Sequence, residues 1–197
     1  MPDGGGIAAR IGPNAVLQLA PAMDHVTGES ARRLLFATVG FDPLPGADAM
    51  IDEIRVAALH RALRQRYPEA ACRIAIAAGT ATGDYIVDNR IPRAARTFLR
   101  ACPAPLAARL LTRAILAHGW TFCGSGHLTA HGRNPVTFAL KDNPIPQIGE
   151  QAHPVCHWHA ATFERIFARL VHPSAKAVET ACCANGAGAC GFEITWP

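Results

Sequence analysis

The chain has 197 residues, half of them apolar and only 17% charged, with a formal net charge of +4. That is enough for one sizeable core and too little for two comfortable domains, and so lean a surface points to cover by a second subunit or a ligand. No run of Lys and Arg is interleaved with aromatics, no apolar run approaches the ~20 residues of a membrane span, and the opening Met1-Pro2-Asp3-Gly4-Gly5-Gly6 has no secretory pattern; nucleic-acid binding, a membrane span and export are therefore not expected.

Residues 1–12 read as a flexible arm and 13–197 as a single domain. A helix is expected from about Asn14 to Thr27, with Pro13 at its start, Gly28 past its end and a kink at Pro21. A second runs from Ser30 to Val39. A third, Asp48 to Tyr67, places Ile51, Ile54, Ala58 and Ala62 on one stripe, with Leu59 and Leu63 beside it, and stops at Pro68. Arg73 to Thr82 is Ala-rich and suits either helix or strand. Pro103 to Ala117 is helical, with Leu106, Leu110, Leu111 and Ile115 inward.

The texture then changes. Trp120 to Thr129 reads as a strand with a bulge, and Val136, Phe138 and Leu140 alternate with polar or small residues as in a half-buried strand. Val155 to Val171 returns to helix, with Phe163, Ile166, Phe167 and Leu170 on its inner face. The tail reads as a hairpin: Ala175 to Cys183 out, a turn at Asn185-Gly186-Ala187-Gly188, and Ala189 to Trp196 back. Helices first and strands later indicate an α+β fold, N-terminal helices packed on a C-terminal antiparallel sheet.

Four of the seven cysteines fall in the last 42 residues: Cys156, Cys182, Cys183 and Cys190. In a chain expected to be cytoplasmic, such a cluster points to metal or redox chemistry and not to disulfides. Cys182 and Cys190 flank the hairpin turn. Cys156 lies seven residues, two helical turns, before Phe163. These three can converge on the inner face. A closed tetrahedral site needs a fourth ligand, and Glu179 and Cys183 both qualify, because one bulge in the outgoing strand would admit either. Four thiolates would also suit an iron–sulfur cluster. Any one of these cysteines alone is more often a buried core thiol.

This constellation resembles the 4-vinyl-reductase domain family: Cys156-His157-Trp158-His159 at the head of an amphipathic helix, Glu179-Thr180-Ala181-Cys182, then Cys190-Gly191-Phe192. The likeness extends to Gly12-Pro13-Asn14-Ala15-Val16, to Gly119-Trp120-Thr121-Phe122 with Gly124 and Gly126, and to Asn143-Pro144. Within the family the set looks closest to a member serving bacteriochlorophyll biosynthesis. The resemblance implies an α+β fold similar to phenol-sensing regulator domains and to components of a Golgi transport complex, and a homodimer. It also implies a structural zinc held by three Cys and one Glu, here Cys156, Glu179, Cys182 and Cys190.

The function it implies is a photosynthetic one: binding a chlorophyll-type tetrapyrrole, a divinyl protochlorophyllide precursor, as carrier or assembly factor, alongside other pigment-biosynthesis enzymes. Two alternatives stand beside it: a reductase converting the vinyl group to ethyl, and a zinc-stapled structural dimer. Vinyl reduction needs a hydride source, yet no Gly-x-Gly-x-x-Gly fingerprint for a nicotinamide or flavin is present. For the pigment, Trp120, Phe122, Phe138 and Trp158 offer walls, and His118 and His159 lead the candidate magnesium ligands, with His127, His131, His153 and His157 behind them. Arg93, Arg96 and Arg100 offer a carboxylate partner. Each of these also has an ordinary reading as core or solvated surface.

Overall fold

The computed structural model describes residues 9–146 and 153–197. Strand β1 (Arg10–Ile11) pairs antiparallel with β2 (Ile51–Asp52), and between them lie helices α1 (Asn14–Leu17), α2 (Leu19–Thr27) and α3 (Glu29–Thr38). Then come α4 (Glu53–Arg66), α5 (Pro68–Tyr85) with a π-helical extension at Ile86–Arg90, α6 (Arg93–Ala101), α7 (Ala104–His118) and the short α8 (Trp120–Cys123). Strands β3 (His127–Gly132) and β4 (Val136–Lys141), helix α9 (His157–Leu170), and strands β5 (Lys176–Ala181) and β6 (Cys190–Thr195) complete the chain. The larger sheet is antiparallel in the order β3-β4-β6-β5. The fold is α+β, with the helices on the sheet's apolar face.

That face carries Val136, Phe138 and Leu140 of β4 and Cys190, Phe192 and Ile194 of β6, every one buried. Helix α9 lies on it through Phe163, Ile166, Phe167 and Leu170, and α7 adds Leu111 and Ile115 near β3. A second apolar cluster joins α1 to α5 with β1 and β2, built on Ile11, Val16, Leu19, Met23, Phe36, Leu59 and Ile74. Trp158 of α9 belongs to this second cluster, so α9 is shared by both.

Several local expectations need correction. The first helix breaks at Gln18, and Pro21 is harmless because it lies in the first turn of α2, where its missing N–H costs nothing. Residues 51–52 pair as strand before α4 begins, with Asp52 capping the helix through the Ile54 amide at 2.8 Å. Ile54 is exposed and the buried side of α4 is Val56, Ala57, Leu59, His60 and Leu63. Pro68 ends α4 by opening α5, and residues 73–82 are helix. On α7, Leu106 faces out and Ala107 and Ala108 face in. Residues 120–123 are helix, and the strand starts only at His127 after a left-handed turn at Gly124. The expected arm is strand at Arg10–Ile11 with Ile11 fully buried; residues 1–8 of it lie outside the described residues.

The tightest contact in the molecule runs between α5 and α9. Gly79 of α5 faces the Trp158 carbonyl, and a methyl there would fall inside contact distance of that oxygen and 2.8 Å from Ala161 Cβ. One turn on, a methyl at Gly83 would sit 2.6 Å from Arg165 Cβ. Thr162 donates to the Gly79 carbonyl at 3.1 Å, and the Trp158 indole N–H donates to Thr82 at 3.2 Å. Arg165 and Arg169 close the seam on Asp84 at 2.8 and 2.9 Å. Backbone therefore meets backbone here, with no flexible side chain to yield. Gly79→Ala should destabilise the fold by about 2 kcal/mol, the overpacking cost exceeding the roughly 1 kcal/mol of helix propensity gained. Urea unfolding checks it; unchanged stability would mean that the helices part freely.

Candidate metal centre

Cys156 is the N-cap residue of α9, so the α5–α9 seam sets its position. Cys190 opens β6, opposite Leu140 of β4. Glu179 lies on β5 opposite Phe192, but Ala181 lies opposite Gly191, so two steps on β5 match one on β6. This bulge at Thr180 brings Glu179 and Cys182 to the same inward side, which strict alternation would forbid. The open question between Glu179 and Cys183 turns on that bulge.

The ligand atoms of Cys156, Glu179, Cys182 and Cys190 all lie within 4.8 Å of one another. Cys156 Sγ is 3.8 Å from Cys182 Sγ and 3.6 Å from Cys190 Sγ. Sulfurs at 2.3 Å from a tetrahedral zinc would be ~3.8 Å apart. The three sulfurs are buried, and Glu179 Oε1 is buried with no hydrogen-bond partner, while Oε2 accepts the Cys156 amide at 2.7 Å. Cys183 stands beside the group as a neighbour: its amide donates to Cys190 Sγ at 3.3 Å.

Four acids in one dry space cannot all ionise at neutral pH without a cation. Hydrogen bonds to Cys182 and Cys190, then burial, raise the Cys156 thiol well above its usual range. The same hydrogen bonds hold Cys182 far below it. For Cys190 the Cys156 contact pulls down, but Cys182 and burial outweigh it and the thiol is pushed up to about 12. Burial, then Cys182, raises Glu179 to about 8. A divalent cation would stabilise the ionised form of every member at once.

Around the cluster lies a ring of donors. Asn143 Nδ2 donates to Cys156 Sγ at 3.4 Å and to Cys190 Sγ at 3.5 Å, and its Oδ1 accepts the Ile145 amide at 3.1 Å. Backbone amides of Val155 and Ala184 face Cys182. Such outer donors orient ligands and spread thiolate charge. Asn143 carried only a resemblance signal in the sequence, as Asn143-Pro144. Its role depends on the chain turning back after β4.

The family model of the 4-vinyl-reductase domain matches residues 137–196, which hold all four clustered residues. The chain is also 48% identical over 192 residues to the bacteriochlorophyll synthase 23 kDa chain of Cereibacter sphaeroides, covering 97% of this chain and 93% of that protein. It is 41% identical over 185 residues to the protein of the same name from Rhodobacter capsulatus, covering 94% and 86%. The chain belongs to the bacteriochlorophyll synthase 23 kDa chain family. Among solved structures, the phenol-responsive sensory domain of the transcription activator PoxR, solved with phenol, aligns at TM-score 0.53 and 14% identity over 75% of this chain and 77% of that one. An unliganded Fe(II) H-NOX protein from K. algicida aligns at 0.59 and 9% over 94% and 96%. At such identities these two likenesses establish the fold of this chain and nothing more.

Among the described residues, the expected pigment residues do not gather around a cavity. Phe138 is fully buried and stacks on Phe163 at 4.7 Å between centroids. Phe122 packs edge-on against Phe163, and Trp158 is buried in the helical cluster. His159 is buried, its Nε2 donating weakly to the Phe122 carbonyl at 3.4 Å and its Nδ1 without a partner. His118 is exposed and bonded to Ala114 of its own helix; the Trp120 side chain lies outside the described residues. Arg96 pairs with Asp88 and Arg100 donates to the Arg169 carbonyl.

Sequence reading missed a cleft of about 130 Å³ next to the cluster, lined by His60, Arg64, Cys72, Val155 and His157 among others. Arg64 makes one long bond, to the Ile145 carbonyl at 3.4 Å. Burial lowers its pKa, and negative charge on Cys156 and Cys182 opposes that. His60 is buried and donates from Nε2 to the Ala15 carbonyl at 3.1 Å.

Burial lowers His60 from 6.5 to about 4. Folded His60 stays neutral to that value, whereas an unfolded imidazole protonates near 6.5, so the unfolded chain binds more protons between the two. Stability present above pH 6.5 is lost as pH falls toward 4, by up to about 3 kcal/mol for this residue. His60→Gln, which keeps a donor for Ala15, should flatten that part of the pH dependence in denaturant titrations. An equal slope in variant and wild type would show that His60 does not titrate in this window.

Proposed function

We propose that the chain acts in bacteriochlorophyll biosynthesis by binding a divinyl tetrapyrrole precursor as carrier or assembly factor, on a scaffold pinned by a structural zinc. The observation that carries the pathway is near full-length identity to two proteins named as bacteriochlorophyll synthase chains. Zinc is favoured over a cluster by the donor set, three thiols and one carboxylate at tetrahedral spacing. With four protein ligands the metal has no open position for chemistry, so its work is to join α9 to the β5–β6 hairpin. The cleft beside it presents a half-buried guanidinium and two imidazoles, a set suited to a pigment carboxylate.

The metal reading predicts about one zinc per chain in protein purified without added metal. Cys190→Ser should lose it, together with much of the cooperative unfolding transition. Asn143→Leu should retain the site with affinity weakened about 10–100-fold. Full zinc content in Cys190→Ser, measured by elemental analysis, would sink the assignment.

The pigment reading is tested by mixing the protein anaerobically with divinyl protochlorophyllide, with and without NADPH, and following absorbance and products. The expected result is a bound, unchanged pigment in both samples, with affinity reduced about tenfold or more in Arg64→Gln by loss of a charged hydrogen bond. Conversion to the monovinyl pigment would instead establish the reductase, and absence of binding would remove the carrier.

A further inference from the structure

We propose that the outward faces of α6 and α7 form a docking surface for an anionic lipid membrane. Between Asn89 and Lys141 the chain holds eight Arg or Lys residues and no Asp or Glu; the other 11 cations and all 15 acids lie elsewhere. The segment thus carries +8 and the remainder −4, which together make the net +4. Read singly, the arginines look scattered. The missing carboxylates are what make the region one-signed.

The fold turns this bias into a surface. Helix α7 buries Ala107, Ala108, Leu111 and Ile115. Its opposite side presents Leu106, Arg109, Arg113 and Leu116, which fall within about 80° of one another at 100° per residue. Leu106 is 45% and Leu116 37% exposed. Helix α6, which packs beside α7, buries only Leu99 and leaves Phe98 59% exposed with Arg93 and Arg100 at the surface. Arg93, Arg109 and Arg113 make no ion pair among the described residues. Large apolar side chains therefore stand out between unpaired guanidiniums.

That interleaving selects the occupant. A second copy would bring the same positive charge to a self-complementary contact and be repelled. Nucleic acid would take the charge but leave Leu106 and Leu116 unused, since base stacking needs aromatic or planar groups. An anionic bilayer takes both: phosphates meet the arginines and the acyl boundary takes Phe98 and the leucines. No helix among the described residues is long and apolar enough to cross a membrane, so the contact would be peripheral. The proposal does not depend on the pigment reading, and its test contains no pigment.

The test is co-sedimentation of the intact protein with phosphatidylglycerol vesicles and with phosphatidylcholine vesicles. Binding is expected to the first, falling as salt rises, and little to the second. The double variant Arg109→Gln/Arg113→Gln should bind about 25-fold more weakly, at about fivefold per cation. Phe98→Ser/Leu106→Ser should also weaken binding, while Arg33→Gln on the far helices should not. Circular dichroism shows whether each variant is folded. No binding by the wild type, equal binding to both lipids, or full binding by a folded double-arginine variant would overturn the proposal.

Discussion

The close approach of α5 and α9 is the constraint on which the rest of this molecule depends. Gly79 and Gly83 let the two backbones meet, and the Thr162 and Trp158 side chains lock the meeting by donating across it. Helix α9 is thereby held at one depth and rotation between the sheet and the helical cluster. Its inner side then lays Phe163 and Phe167 on Phe138, Phe192 and Trp196. Its N-cap delivers Cys156 to the end of β6. A helix displaced by a methyl group would move a sulfur whose neighbours stand 3.6 and 3.8 Å away.

The Cys/Glu group is the second centre of tension. Alone it gathers four ionisable groups in a dry space, and burial and mutual contact drive their proton affinities apart. A bound dication would turn the same crowding into attraction. The Asn143 amide and the Cys183 and Ala184 N–H groups already point at the sulfurs, so the surroundings are organised for negative charge. The site also ties together parts distant in sequence: the turn after β4, the start of α9, and both strands of the last hairpin.

The aromatic residues near this centre are occupied with one another. Phe122, Phe138, Phe163, His159 and Phe192 form a continuous packed set. The accessible chemistry lies to the side, in the cleft of Arg64 and His157, and on the outer helices with their unpaired arginines. Binding and structure are thus segregated: the sheet side supplies rigidity and the helical side supplies surface.

Local physics made much of this legible. The period-2 alternation of β4 and β6, the 3.6-residue stripe of α9 and the Gly-bearing turn at Asn185-Gly186 were readable because each depends on near neighbours alone. So were the clustering of cysteines and the family resemblance they carry. Other elements were decided by partners far along the chain. Residues 51–52 are strand because Arg10 and Ile11 come to pair with them. Ile54 faces solvent because α4 presents Leu59 and Leu63 to α2 and α5, a choice that an Ala-rich helix leaves open. Residues 73–82 are helix because α9 requires a backbone to lie against. The sequence by itself determined which residues are able to bind a metal: three thiols and two further candidates in one tail. Only the tertiary structure decided that Glu179 joins them and Cys183 stands aside, because the bulge at Thr180 is a property of the pairing of β5 with β6, and pairing register is not encoded in either strand alone.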